Sequence, residues 1–428
     1  MVKETQRNNT LAVKQAVFPM IGSILGSGVL TLPAAVEASG YLLSAPILIF
    51  VSGICAFTLY QLVHCAKELN TRSPSYFKVC QNTHPILGYI SEVCIGIQGF
   101  GAITVYLLIL KESILSLINM EDTVDYMPYN IMCSALLLII PTVLAMQKSL
   151  KKLAFISVLS TISVIFLSFV VLLSGILALF LPKGSIPTDR LKAATNEPEG
   201  LFKALSGYIF GLGCQQNMVK VFSLLKNPTK INGAKVGTYA IVIVSIAYFF
   251  VANGGYIAGG NGQNSSILDV LSNTEKPFYK IIMTNFGDTW GKTYFHLITI
   301  SKLAMVIVLL GAYPLQLHPT RDSIITFLSI IFKNNIFRNN PRILEVLITS
   351  IMTITVFIES LYKIKYISVM KLIASTASCY IMFTLPSIAY IYSQNKVKLF
   401  DYTSKFILIG SILFSICSTY LLLHKNNN

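Results

Sequence analysis

Two short stretches hold the residues best placed to do chemistry. GSILGSGVLTLP covers residues 22–33, and FGLGCQQN covers residues 210–217. Each sets glycines and small polar side chains in the middle of an apolar run. Where no water can repair the backbone, a helix broken there exposes C=O groups at the end of its first half and N–H groups at the start of its second. These are fixed partial charges of opposite sign. They suit reversible binding rather than bond making. A zwitterion of the amino acid type carries one charge of each sign, close together. Its carboxylate suits the amides near Ser27 and Gly28, and its ammonium suits the carbonyls near Ser23, Phe210 and Gly211. Gly22 and Gly26 also form a small-xxx-small pair, which alone reads as close helix packing. The second break tips the balance. Two interrupted apolar segments at corresponding places in two halves of a chain point to a transporter's binding site.

The elements that must hold these breaks are membrane spans. The chain has 428 residues, 54% hydrophobic and only 12% charged, with a mean hydropathy of +0.66. Soluble domains are about 25% charged. Apolar stretches long enough to cross a bilayer, about 20 residues each, recur from end to end. Eleven are expected, centred near Gly26, Phe57, Gly101, Leu138, Phe166, Gly211, Ala247, Val306, Thr353, Cys379 and Ile412. The eighth is the least clear, because Lys302 lies inside it and its long stem is expected to snorkel. An amphipathic loop helix is expected within 265–285. The fold class is therefore an all-α polytopic membrane protein. Residues 1–15 read as a cytosolic tail with no signal-peptide cleavage pattern, and 16–424 as one transmembrane domain. The breaks divide it into a first repeat (16–182) and a second (200–392) in a five-plus-five inverted arrangement, with an extra helix over 404–424.

Charge supports that orientation. With a cytosolic N-terminus, Lys148, Lys151, Lys152, Lys220, Lys226, Lys230, Lys235, Arg321, Lys333, Arg338 and Arg342 all fall in cytosolic loops, and Glu121, Asp122 and Asp125 fall on the other side. That is the positive-inside pattern. It explains a net charge of +15 without nucleic acid, whose binders gather basic residues on one face or arm. The eight cysteines form no CxxC pair or zinc spacing, and the five histidines are scattered, so no metal, cofactor or disulfide is expected. GxxxxGK[ST], HExxH and GxSxG are absent, and no enzyme activity is expected. Asn264 opens an Asn-Ser-Ser sequon in a non-cytosolic loop.

Five strings resemble, in order, those of the amino acid/auxin permeases, whose eukaryotic members include vacuolar and plasma-membrane amino acid transporters. They are ILGSGVLTLPAAVEASG (24–40), FGLGCQQNMVKVFSLLKNP (210–228), GYIAGG (255–260), YPLQLHPTRDSI (313–324) and FTLPSIAYI (383–391). The resemblance covers almost the whole chain. It implies a LeuT-like five-plus-five fold of eleven helices and alternating-access transport of amino acids. It implies that Gly22, Ser23, Gly26, Ser27 and Gly28 hold the substrate's backbone end. Phe210, Gly211, Cys214, Gln215 and Asn217 are carried over from the sixth span. Gln98 and Tyr106 join them, since the third helix lines the site in this fold. Tyr313, which opens the fourth string, is a further pocket or coupling candidate.

The departures bear on coupling. Gln215 stands where the family has a histidine, and Leu224 where it has a gate glutamate. Sodium-coupled members carry an Asn before the first break and a hydroxyl on the eighth span. Here those places hold Pro19 or Gly22 and the neighbourhood of Ala312, and residues 305–313 offer no Ser, Thr or Asn. A hard cation wants several oxygen ligands. Proton coupling or exchange is therefore expected rather than sodium. Glu92 is the mid-span carboxylate available to a proton. A plasma membrane and a vacuole-like membrane both fit. So do two other functions: an amino acid sensor of transporter fold, and a transporter of another small zwitterion or organic cation.

Overall fold

The computed structural model describes residues 11–26, 28–71, 73–118, 127–146, 150–180, 191–260, 267–272, 277–332, 341–362 and 366–425. Within these the chain is almost entirely helical. The first two helices are α1 (Val13–Ile24) and α2 (Gly28–Ser39), bent 65° from each other. They are followed by α3 (Tyr41–Glu68), a short α4 (Tyr76–Thr83), α5 (Pro85–Leu117), α6 (Met127–Ala145) and α7 (Leu150–Phe180). The second half opens with another interrupted pair, α8 (Pro198–Leu212) and α9 (Gln215–Ser223), then α10 (Lys230–Gly259) and α11 (Ile267–Ser272). A long α12 (Pro277–Phe332) turns at Gly287, whose φ of 75° is costly for any residue with a Cβ. α13 (Pro341–Leu361), α14 (Tyr366–Ile373), α15 (Leu385–Ile391) and α16 (Lys398–Lys425) complete the chain. Two π-helical turns, Ala374–Ser378 and Tyr380–Thr384, join α14 to α15 in one continuous element.

Among the described residues, nine helices are long and apolar enough to cross a membrane, or ten with α1 and α2 counted as one broken span. The expected eleven also includes the α8–α9 pair, which is not among them. Its second half, QQNMVKVFS, is too polar to read as an ordinary span. The loop helix expected within 265–285 is split between α11 and the start of α12. The sequon at Asn264 lies outside the described residues.

Local sequence explains the boundaries. Pro85 and Pro198 open α5 and α8, where a missing N–H costs nothing. Thr229 caps α10 by accepting from the Asn232 N–H at 3.1 Å. The broken helices lie at the centre: α2 packs on α8 and α10, α1 on α10 and α7, and α5 along α12. Lys302 departs from expectation. It is 3% exposed and donates to the Ser116 hydroxyl on α5, so it turns inward to a polar partner instead of snorkelling.

Just before α1, Leu11 is pinned by backbone. Leu11 donates its N–H to the Leu224 carbonyl at 3.1 Å and accepts from the Lys226 N–H at 2.9 Å. Leu224, standing where the resembled family has a gate glutamate, is thus used through its peptide group. Close by, Glu68 of α3 accepts from the Ser393 hydroxyl and the Asn395 N–H, and its neighbour His64 faces Lys230 of α10 at 3.2 Å.

Candidate functional site

The two breaks face each other. α1 ends at Ile24 and α2 begins at Gly28; α8 ends at Leu212 and α9 begins at Gln215. A Cβ on Gly28 would stand 2.8 Å from the Gly211 Cα and 3.7 Å from the Phe210 ring. The two backbones therefore touch because neither glycine carries a side chain. Gly211 is in turn covered by the Tyr248 ring of α10, which a Cβ would meet at 3.1 Å.

Carbonyl ends from both broken helices converge on one hydroxyl. Tyr248, fully buried, donates to Gly211 O at 2.9 Å and to Ile24 O at 3.2 Å. Both oxygens belong to the last turns of first-half helices, where no intrahelical donor is due.

Third-helix residues reach in from α5. The Tyr106 hydroxyl lies 2.3 Å from where a Cβ on Gly26 would be, and Gln98 Nε2 lies 3.1 Å from the same construction on Gly213. The Gln98 carbonyl oxygen is buried with no hydrogen-bond partner. Eight residues apart, Gln98 and Tyr106 share a helix face. Met382, in the second π turn, places its sulfur 3.5 Å from the Gly213 position.

Glutamines build the second break. The Gln215 side chain accepts from the Cys214 N–H at 3.0 Å and donates to the Thr58 hydroxyl of α3 at 3.3 Å. Its amide therefore caps an orphan donor and ties the break to α3, a task an imidazole in the same place would do differently. Gln216 donates to Gln316 of α12 at 3.2 Å, leaving its own oxygen buried and unpaired. Cys214 is fully buried at the turn, and Asn217 sits half-buried in the first turn of α9, its N–H on Cys214 O at 3.0 Å.

The structure thus brings Gly26, Gly28, Phe210, Gly211, Cys214, Gln98 and Tyr106 around the breaks. Gly22 and Ser23 lie in the last turns of α1, where Ser23 donates to Met20 O at 2.8 Å, so its hydroxyl is satisfied within the helix. Ser27 lies outside the described residues. Glu92 lies six residues before Gln98, about 9 Å further along the axis of α5. There it stands beside Ser323 and lines an apolar cavity of about 530 Å³ with Gly96, Phe100, Thr104, Glu359 and Ile373. Tyr313 has its hydroxyl beside Thr353 of α13, without hydrogen-bond geometry. Sequence reading missed Tyr248, Gln216 and Gln316. Gln216 had a signal, being part of a polar run at membrane depth; a tyrosine within SIAYFFVANGG has none.

Among the described residues no group of three or more His, Cys, Asp and Glu is placed to hold a metal ion. What the breaks offer is backbone: acceptors at the ends of α1 and α8, donors at the starts of α2 and α9, and neutral amides and hydroxyls around them. That set fits a small molecule bearing both charges.

Comparison with known proteins gives the same direction. Residues 9–423 match the family described as transmembrane amino acid transporter protein. The chain is 25% identical over 395 residues to vacuolar amino acid transporter 5 of Schizosaccharomyces pombe, covering 89% of this chain and 84% of that protein. It is 22% identical over 330 residues to vacuolar amino acid transporter 6 of Saccharomyces cerevisiae, with coverage of 76% and 68%. It is also 22% identical over 439 residues to sodium-coupled neutral amino acid transporter 7 of Xenopus laevis, with coverage of 94% and 88%. Among solved structures, MhsT in complex with L-phenylalanine superposes with a TM-score of 0.59 at 15% identity, covering 96% of this chain and 99% of that one. At that identity the likeness is one of fold, and the fold is LeuT-like.

Proposed function

Because the chain belongs to the transmembrane amino acid transporter family, we propose that it moves amino acids across a vacuole-like membrane by alternating access, driven by protons or exchange rather than by sodium, with its N-terminus in the cytosol. The observation that carries this reading is the meeting of the two breaks at Gly28 and Gly211. It sets the end of α8 directly against the start of α2, so that acceptors of one broken helix lie beside donors of the other.

The substrate's carboxylate is received by the N–H groups that open α2, and its ammonium by the carbonyls of the first-half helices near Ser23, Phe210 and Gly211. Gly22 and Gly26 let the ligand approach that backbone, and Ser27 is proposed from the sequence as a further contact. Cys214, Gln215 and Asn217 shape the second break. Gln98 and Tyr106 close the site from α5. The vacuolar membrane follows the two yeast relatives, both named vacuolar transporters. The choice against sodium rests on the wall of α12: residues 305–312 carry no side-chain oxygen, and a sodium site wants several. Glu92 sits off the breaks, and the proton-coupled reading gives it the role of a remote proton acceptor on α5.

The test is uptake of a labelled amino acid mixture into proteoliposomes under a pH gradient, a sodium gradient and neither, with Gly26→Leu as the inactive control. Accumulation under the pH gradient, or exchange with preloaded amino acid, supports the reading. Accumulation that needs sodium overturns the coupling, and binding without any flux moves the protein to the sensor class.

A further inference from the structure

Tyr248 holds a position that nothing in the family reading assigns. Its hydroxyl is the single donor shared by Gly211 O at 2.9 Å and Ile24 O at 3.2 Å. Each oxygen ends a first-half helix, so each carries the partial negative charge of that helix end. Two such ends repel when brought together unless a positive charge sits between them. In transporters with broken helices, unwound carbonyls and half-helix C-termini coordinate the coupling cation. Here the point between the two ends is taken by a phenolic proton on a fully buried ring of α10.

We propose that the Tyr248 hydroxyl fills, with its own proton, the place where a monovalent cation would otherwise join the two broken helices, and thereby keeps the breaks in register. Tyr248 is a positioning residue: it acts on the substrate through the carbonyls it aligns. The proposal rests on the transport reading for its flux measurements, but not for its ion-binding measurement.

The experiment compares wild type with Tyr248→Phe, which keeps the ring against Gly211 and removes the donor. Thermal stability of the purified proteins is measured in sodium chloride and in choline chloride of equal strength. The apparent KM for a transported amino acid is measured in the same salts. Wild type is expected to melt at the same temperature in both. The Phe variant is expected to gain stability in sodium, with KM raised about tenfold in choline and lowered towards the wild-type value in sodium. Absence of a sodium response in the variant overturns the proposal, whatever its KM. Equal sodium stabilisation of both proteins overturns it as well.

Should Tyr248→Phe fail to fold, 3,5-difluorotyrosine at 248 keeps both ring and hydroxyl but makes the phenol much more acidic. The titratable groups facing that hydroxyl are Tyr106 of α5 and the Cys214 thiol at the second break. An ionised oxygen cannot donate to two carbonyls, so thermal stability should fall in alkaline buffer where wild type holds. An unchanged alkaline profile overturns the proposal. A wild type that moves no amino acid refutes the transport reading and leaves the thermal results to decide this one.

Discussion

Gly28 of α2 and Gly211 of α8 meet backbone to backbone, at a distance that leaves no room for a methyl group: a Cβ on Gly28 would lie 2.8 Å from the Gly211 Cα. No flexible side chain stands there to yield. Gly28→Ala should therefore push the breaks apart, at the cost of about 1–3 kcal/mol usual for overpacking, and reduce kcat/KM for uptake at least about tenfold. Gly410→Ala, where a Cβ meets nothing within 4 Å, is the control expected to transport normally. Equal transport by the two variants would sink the idea that this contact sets the site.

The neighbouring Gly26 is different, because its obstacle is the Tyr106 hydroxyl at 2.3 Å, the far end of a side chain. Gly26→Ala should impair uptake, and adding Tyr106→Phe should restore part of it. The two residues are then coupled in a double-mutant cycle by about 0.5–3 kcal/mol. Purely additive losses would show that Tyr106 does not press on the first break.

Gln98 buries a carbonyl oxygen with no partner, a state that costs about 1–3 kcal/mol. Gln98→Leu should hold or raise the melting temperature while lowering uptake. That split between stability and activity marks a group kept for its ligand. A variant that loses both together would assign Gln98 to structure.

The Leu11 N–H bonds Leu224 O at 3.1 Å. Leu11→Pro removes that donor and should weaken closure of this end by about 0.5–1.5 kcal/mol. Cys214, fully buried at the second break, reports on it: maleimide labelling should speed up about two- to tenfold in Leu11→Pro. The assay is made in a background where Cys417, exposed, and Cys94 and Cys133, part-exposed, are serine. Unchanged labelling would mean the tail contact does not guard the site.

Much of this was legible in the sequence. The breaks announced themselves at Gly26–Gly28 and Gly211–Gly213 because glycine and polar residues are conspicuous in an apolar run. Pro85, Pro198 and Thr229 each stand at a helix start where local rules favour them. What stayed hidden depends on contacts between residues far apart in the chain. Tyr248 lies 224 residues from Ile24, and its hydroxyl looks like any other in an apolar helix. Glu92 stood out as a mid-span carboxylate, yet which face of α5 it occupies is set by packing against α12 and α14. Lys302 was expected to reach for the surface, because its partner Ser116 belongs to another helix. The α8–α9 pair, counted from the sequence as the sixth span, is absent from the helices long and apolar enough to cross a membrane because its second half is too polar.

The two π turns between α14 and α15 carry a mechanical consequence. Each π turn accommodates one residue more than an α turn does. Rewinding either one to α geometry would rotate everything beyond it by about 100°, the angle of one residue. Met382, whose sulfur stands over Gly213, lies inside the second turn. The element that roofs the second break thus stores slack within its own winding, and it can swap the side chain it presents there by twisting on its axis, without sliding past a neighbour.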